Sequence, residues 1–327
     1  MYLMRFDLRA PGATARERAD RYRALIDMAA WAEEHGCASV AISEHHASDD
    51  GYLPSPLMVA AGVAAATSTL SITVAAAILP FYDPLRLAED IIALDHLSEG
   101  RAFVILGLGY RPVEYELRGL DFARRGAIAD EKLEVLLGAL RDAGTAAVTP
   151  RVTPAPFSSP IPMLAWGGQS PVAARRAGRN GLAFLAQGGG QELQVVYEEA
   201  ARAAGHEPGF CYIPTDETPL IAFVDDDVDR GWDEVGPSML VDARSYHAWN
   251  DEASMTATTV SLSNATTVEE LRAADHAHRV ITTAEAVEII RTKGMLGLHP
   301  LCGGLDPEVA WPYLRRAAAA VEQATAG

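Results

Sequence analysis

Cysteine is scarce in this chain: three residues, Cys37, Cys211 and Cys302, in 327. They lie too far apart to form a disulfide framework or the close pairs that zinc sites use, so a reducing, cytoplasmic setting is expected and no metal site is. Positive charge is also short. There are 27 Lys and Arg against 44 Asp and Glu, a formal net charge of -17. Such a surface repels polyphosphate, and nucleic acid is not an expected partner. The opening residues are not expected to act as a signal peptide, because Arg5, Asp7 and Arg9 interrupt the first ten. There is no P-loop, no G-x-S-x-G elbow, no H-E-x-x-H helix, no solenoid-period repeat and no low-complexity tract. One charge-free run, Gly51 to Tyr82, is long enough for a bilayer core of about 30 Å. Thr67, Ser68, Thr69, Ser71 and Thr73 cluster in its middle, Pro54, Pro56 and Pro80 punctuate it, and both flanks (Asp50, Asp83) are acidic. It reads as a buried helix, a turn and a buried strand, and no membrane association is expected.

What remains is ordinary globular composition, 49% hydrophobic and 22% charged, with short apolar runs that each lead into a stretch of helical period. The strands expected are Tyr2–Leu8, Ser39–Ser43, Ser71–Leu79, Ala102–Gly107, Ile161–Trp166, Leu182–Ala186, Pro219–Val224 and Met295–His299. Two of the helices begin at a proline directly after a capping residue, Asp83-Pro84 and Ser170-Pro171. Eight alternating βα units over this length point to one (β/α)8 TIM barrel spanning 1–327, more than to an open doubly wound sheet. The interval from Asp225 to His278, after the seventh strand, is too long for a plain βα connection and reads as an insertion, a candidate lid.

In a barrel the chemistry sits at the C-terminal ends of strands. The second strand ends in Ser43-Glu44-His45-His46. Adjacent residues of an extended strand face opposite ways, so the two histidines do not readily share a metal. One imidazole directed into the mouth, oriented by Glu44, suits acid, base or donor work, and the same residues also suit a structural histidine. The third strand carries Ala75-Ala76-Ala77, small enough for a flat group to approach or simply to fill a crowded interior. The fourth runs into Gly107-Leu108-Gly109-Tyr110-Arg111-Pro112, which fails as a dinucleotide fingerprint because the third glycine and its helix are absent. The fifth runs through Trp166-Gly167-Gly168-Gln169-Ser170 into a helix, an arrangement that is either an anion site or an ordinary capped turn. Cys302 beside two glycines is a small buried residue before it is a nucleophile.

Taken in order, Ser43-Glu44-His45-His46, Leu79-Pro80, Asp83-Pro84-Leu85-Arg86-Leu87-Ala88-Glu89-Asp90, Leu94-Asp95-His96-Leu97-Ser98-Glu99-Gly100-Arg101, Gly107 to Pro112 and Gly167 to Pro171 resemble the bacterial luciferase-like flavin-dependent monooxygenases over nearly the whole chain. The resemblance implies a (β/α)8 barrel binding reduced FMN or, in a large branch, the deazaflavin F420. It makes His45 the catalytic histidine and Glu44 its neighbouring acid. It places a non-proline cis peptide, backing the flavin ring, at Ala75-Ala76, assigns Gly107, Gly109 and Tyr110 to the cofactor, and matches Gly167, Gly168, Gln169 and Ser170 to the phosphate loop. Arg125 falls, within one residue, where luciferases hold a phosphate arginine. Arg111, Trp166 and His299 are candidate substrate contacts. Two departures stand out: luciferases have a reactive cysteine where this chain has Gly107, and an arginine where it has Leu108. Aldehyde-oxidising light emission is therefore not implied.

The function expected is a monooxygenase that uses reduced FMN and O2 to oxygenate a small organic substrate. With no nicotinamide fingerprint in the chain, a separate flavin reductase would supply the reduced cofactor. The alternatives are an F420-dependent oxidoreductase that transfers hydride and, third, a non-catalytic flavin-binding protein. A homo-oligomer, commonly a dimer in such families, is implied.

Overall fold

The computed structural model describes residues 1–146, 151–214, 221–252 and 263–326. Its first elements are β1 (Tyr2–Phe6), α1 (Ala15–Glu33), β2 (Cys37–Ile42), α2 (Pro56–Ala66), β3 (Ser71–Ile78), α3 (Pro84–Ser98), β4 (Ala102–Gly107) and α4 (Pro112–Glu116). Then come α5 (Arg125–Asp142), β5 (Met163–Gly167), α6 (Pro171–Arg179), β6 (Ala183–Leu185), α7 (Glu192–Ala203) and β7 (Cys211–Tyr212). The last are β8 (Ile221–Val224), α8 (Val228–Glu252), α9 (Val268–Ala274), β9 (His278–Ile281), α10 (Thr283–Lys293), β10 (Leu296–Leu298) and α11 (Pro307–Thr325). The chain divides into two compact units.

The first unit comprises Met1–Pro54, Ala66–Ser71 and Thr215–Gly327. Within it β1 pairs in parallel with both β10 and β2, Leu3 opposite Gly297 and Ser39. Tyr2, Met4 and Phe6 are fully buried while Leu3 and Arg5 are less so, the period-two alternation of a strand with one face in the core. Helix α1 starts at a capping box, Thr14 with Glu17. At its other end the Glu33 carboxylate accepts from the backbone N–H groups of Ser68, Thr69 and Leu70.

The second unit comprises Ser55–Ala65 and Ile72–Pro214, and its strands run β3, β4, β5, β6, β7 side by side, all parallel. The two expected proline-led helices begin where the sequence placed them. Asp83 accepts from the N–H groups of Leu85 and Arg86, and Ser170 Oγ accepts from Ala173 N at 3.3 Å.

Two corrections concern strands. Of the expected seventh strand, Pro219–Val224, the described part Ile221–Val224 is a strand, residues 219 and 220 lying outside the described ones; it pairs in parallel with β9, a strand that the sequence reading did not include. The short β7 instead follows β6 in the sheet of the second unit. The charged Arg279 interrupts the apolar run of β9, and two residues of β7 carry no period, so neither element announced itself. The second strand ends at Ile42, one residue earlier than expected, and Ser43 to His46 continue as irregular chain. The opposite-face argument for His45 and His46 therefore does not apply. The insertion holds α8 and α9 and ends in β9, and its residues 253–262 lie outside the described ones.

Candidate active site

In the first unit, four backbone hydrogen bonds position the residues after β1 and β2. Ser43 N donates to Phe6 O, His45 N to Leu53 O, Leu53 N to Asp7 O and Ala10 N to Asp50 O, at 2.7 to 3.1 Å. The Ser43–His46 stretch, the Asp7–Ala10 stretch and the Asp50–Leu53 turn are thereby held together. Ser43, Glu44, His45 and His46 are all buried.

Glu44 Oε1 lies 2.6 Å from His46 Nε2, so the acid pairs with the second histidine of the motif. His45 lies among aromatic rings: its centroid is 4.9 Å from Tyr52, edge to face, and 4.7 Å from Trp249. Tyr246 stands 6.4 Å away, and the Tyr52 and Tyr246 hydroxyls are 2.9 Å apart. Tyr246 and Trp249 belong to α8, so the helical part of the expected lid supplies walls to the histidine.

Against the same rings lies a buried charge network. Arg9, with no exposed surface, donates through Nε to Asp7 Oδ2 at 3.1 Å, and its guanidinium carbon is 4.9 to 5.1 Å from the Tyr52, Tyr246 and Trp249 centroids. Asp242, on α8, accepts from His278 Nε2 at 3.0 Å and from Arg5 Nη2 at 3.4 Å. Arg5 also faces His299 Nδ1 at 3.2 Å, which makes that nitrogen the acceptor and leaves the proton on Nε2, 3.5 Å from Asp7. Burial pushes the Asp7 carboxyl up, but His299 and Arg9 outweigh it and hold it down at about 2. Burial opposes ionisation of Asp242 as well; the His278 hydrogen bond and the two guanidiniums pull it well below the carboxylate range. Burial lowers the His299 imidazole and raises the Tyr52 and Tyr246 phenols. At neutral pH two buried carboxylates thus balance two guanidiniums, Arg9 buried and Arg5 partly exposed, and the phenols stay protonated. Asp242, His299 and Cys302 bring possible metal ligands within 4.8 Å of one another. Arg5 and Arg9 already supply the positive charge at that spot, so a cation is disfavoured there. Burial keeps the Cys302 sulfur a thiol.

In the second unit the Ala75–Ala76 bond is cis, as the family pattern implied. The ladder to β4 skips a residue here, Ala75 facing Ile105 and Ala77 facing Leu106. A Cβ on Gly107 would stand 3.3 Å from that of Ala76, and Gly109 has φ +70 with Ile78 closing on it. Ala75 and Ala76 are half-exposed beside a strand end without side-chain bulk, which gives a flat group room to approach. Tyr110 is half-buried, and Arg111 is buried with its Nη1 3.7 Å from Glu114.

Gly168 has φ +149, and a Cβ there would lie 2.6 Å from Ala173 Cβ. Glycine therefore lets this turn fold tightly onto the start of α6. Ser170 uses its oxygen as the cap acceptor and keeps its O–H as a donor, while Gln169 stays half-buried. Arg125 opens α5, where its Nη1 donates to Phe122 O at 2.9 Å and its guanidinium lies 4.1 Å from the Phe122 ring. Arg176 ties α6 to α5 through Asp130 and Gly126 O and lies over Trp166.

Trp166 and His299 have no exposed surface and are engaged with Arg176 and with Arg5, respectively. The sequence reading missed Arg9, Asp7, Tyr52, Asp242, Tyr246 and Trp249. Asp7 and Arg9 could have been found, since two charges directly after a buried strand fit the strand-end rule; the α8 residues reach His45 only through tertiary packing.

The family model for luciferase-like monooxygenases matches residues 1–261, and the chain belongs to that family. Among curated relatives, the protein y4vJ of Sinorhizobium fredii is 32% identical over 136 residues, 42% of this chain and 39% of that protein. The chain thus aligns with well under half the length of that relative. Among solved structures, the oxygenating constituent of 3,6-diketocamphane monooxygenase from Pseudomonas putida, in complex with FMN, superposes with a TM-score of 0.69 at 20% identity, covering 98% of both chains. An F420-dependent secondary alcohol dehydrogenase follows at a TM-score of 0.60 and 18% identity, covering 94% of this chain and 97% of that one. These likenesses show the fold, α/β of the (β/α)8 class. Membership of that family supports an enzyme; of the two solved neighbours, one is a complex with FMN and the other is F420-dependent. No described helix is long and apolar enough to cross a membrane.

Proposed function

We propose that the protein is a reduced-FMN-dependent monooxygenase of a small organic substrate, served by a separate flavin reductase in a cytoplasmic setting, and that it works as an oligomer. The observation that carries this reading is the seat of His45, an ionisable ring buried among Tyr52, Tyr246 and Trp249 and backed by a charge-balanced network. A proton held there is shielded from bulk water, which oxygen-activating chemistry needs if reduced cofactor is not to be wasted. Bound reduced FMN supplies two electrons to O2, one oxygen atom entering the substrate and the other leaving as water.

His45 holds and moves the proton at its ring nitrogen. Glu44, bonded to His46, fixes the motif that presents that ring. Ala75, Ala76, Gly107, Gly109 and Tyr110 leave space for the ring system. The Gly167–Ser170 turn, with the Ser170 hydroxyl and the N-terminus of the nine-residue α6, receives the phosphate, with Arg125 in support.

The test supplies FMN and NADH with an unrelated flavin reductase under 18O2 and follows label into a panel of small organic compounds by mass spectrometry. Label in a product, lost on omission of the protein, is expected. Label absent throughout, with anaerobic reduction or oxidation of F420 by the same protein, would install the hydride-transfer reading. Leu108, standing where luciferases keep a phosphate arginine, is the observation that keeps this second reading in view.

A further inference from the structure

Leu108 lies between Gly107 and Gly109, so the Leu108–Gly109 peptide has a glycine on each side and little of its own to fix its orientation. Its carbonyl oxygen accepts from the Tyr115 hydroxyl at 2.5 Å. Tyr115, on α4, has no exposed surface, and burial raises its phenol, so the hydroxyl keeps the proton it donates. The Tyr115 ring stands edge-on to two others, Phe81 at 4.8 Å and Phe122 at 5.2 Å. Phe122 in turn supports Arg125, whose Nη1 donates to Phe122 O at 2.9 Å and whose guanidinium lies 4.1 Å from the Phe122 ring. One buried side chain thus touches the glycine turn after β4, the residues after β3 and the support of Arg125, all within the second unit. A phenylalanine would fill the same space, so what the hydroxyl adds is its grip on the turn.

We infer that Tyr115 is a positioning residue for the cofactor: its hydroxyl fixes the Leu108–Gly109 peptide in the orientation that the flavin ring system meets, and its ring, through Phe122, steadies Arg125 at the phosphate. Being buried, it acts through Leu108 and Phe122 rather than by touching the cofactor. The C=O and N–H of a trans peptide point opposite ways, so holding Leu108 O against the phenol turns the Gly109 N–H away from it. Without the hydroxyl the glycine-flanked peptide samples other orientations, and binding must then order it, which lowers affinity. The ring side and the phosphate side separate, because the hydroxyl acts on the first and the Phe122 face on the second. The inference rests on the proposed reading only for the place of the cofactor, which it deepens by naming a residue outside the contact set.

Anaerobic titration of wild type, Tyr115→Phe, Phe122→Leu and Tyr197→Phe with reduced FMN and reduced riboflavin tests it. Tyr197 is the control, buried in the same unit with its hydroxyl donating to Leu182 O at 3.0 Å, the same kind of bond away from the glycine turn. Tyr115→Phe should weaken both flavins by about tenfold and keep their ratio, because they share the ring system. Phe122→Leu should weaken FMN by about fivefold and leave riboflavin within about twofold. Tyr197→Phe should lower the thermal midpoint about as much as Tyr115→Phe does, by about 2–4 °C, and leave both affinities within about twofold. Unchanged affinities in Tyr115→Phe, or losses in Tyr197→Phe as large as those in Tyr115→Phe, would overturn the inference. Equal loss of the two flavins in Phe122→Leu would overturn it as well, whether or not the Tyr115 variant folds. If the wild type takes F420 rather than reduced FMN, the monooxygenase reading fails, and the same pattern is expected with F420 and its phosphate-free chromophore; wild type that binds none of the four would overturn both.

Discussion

Replacing Asp242 with asparagine removes one charge from the network beneath His45 and keeps the side-chain shape. Asp242 has no exposed surface and faces three basic groups, His278 at 3.0 Å, Arg5 at 3.4 Å and Arg9 at 3.9 Å. Removing one partner of a buried ion pair costs about 3–5 kcal/mol, because the other charge is left in the interior. Asp7 still compensates Arg9 at 3.1 Å, which puts the expected loss at the lower end, about 3 kcal/mol. With a urea slope of about 2 kcal/mol per M, that lowers the midpoint by about 1.5 M, followed by tryptophan fluorescence. The sign of the pH dependence follows from the depressed carboxyl. Asp242 titrates below its ordinary 3.8 in the folded protein, so its contribution is present above the unfolded value and is lost as pH falls through the folded one. The gap between wild type and Asp242→Asn should be full at pH 7 and narrow below about pH 4. A difference under about 0.5 kcal/mol at pH 7 would refute the reading of Asp242 as an ionised member of a buried, charge-balanced network.

Three further outcomes are expected. His45→Ala should leave reduced-FMN affinity within about threefold and lower turnover by about 10²–10⁴, the usual range for loss of a general acid or base; unchanged turnover would remove the role. Gly168→Ala, strained at φ +149 and crowding Ala173, should weaken FMN markedly and riboflavin little; equal losses would place the phosphate elsewhere. Glu33 is held at about 2 because three backbone N–H bonds and the Thr69 hydroxyl outweigh its burial. Glu33→Gln should cost about 1 kcal/mol of stability at pH 7, after allowance for solvent screening. That cost should fade as pH drops from about 4.5 towards 2, and a pH-independent difference in thermal midpoint would contradict it.

The local signals were legible in the sequence wherever one residue decides a backbone event. Asp83-Pro84 and Ser170-Pro171 cap their helices as read, because a short polar side chain before proline has few other uses. The glycines at 107, 109 and 168 stand where another chain element closes on them. Family pattern located the cis bond at Ala75–Ala76. Other features were hidden because they depend on partners distant in sequence. Trp249 and Tyr246 sit on α8, roughly two hundred residues from His45, and nothing in a helical period reveals what its C-terminal turns will touch. Glu44 was read as orienting His45, whereas its carboxylate is found 2.6 Å from His46; once the strand has ended, alternation no longer tells which neighbour a side chain meets. Arg5, Asp7 and Arg9 first appeared only as charges that break an apolar leader, yet they prove to be members of a buried network. A charge at a strand end is informative when its counter-charge can be named, and Asp242 could not be named from sequence.

The most direct measurement is an anaerobic titration of the purified protein with reduced FMN, oxidised FMN and F420, followed by fluorescence. Reduced FMN binding at least tenfold more tightly than either of the others is the expected result for an oxygenase fed by a reductase. Tight binding of F420 with weak binding of both FMN forms would contradict it and assign the protein to hydride transfer.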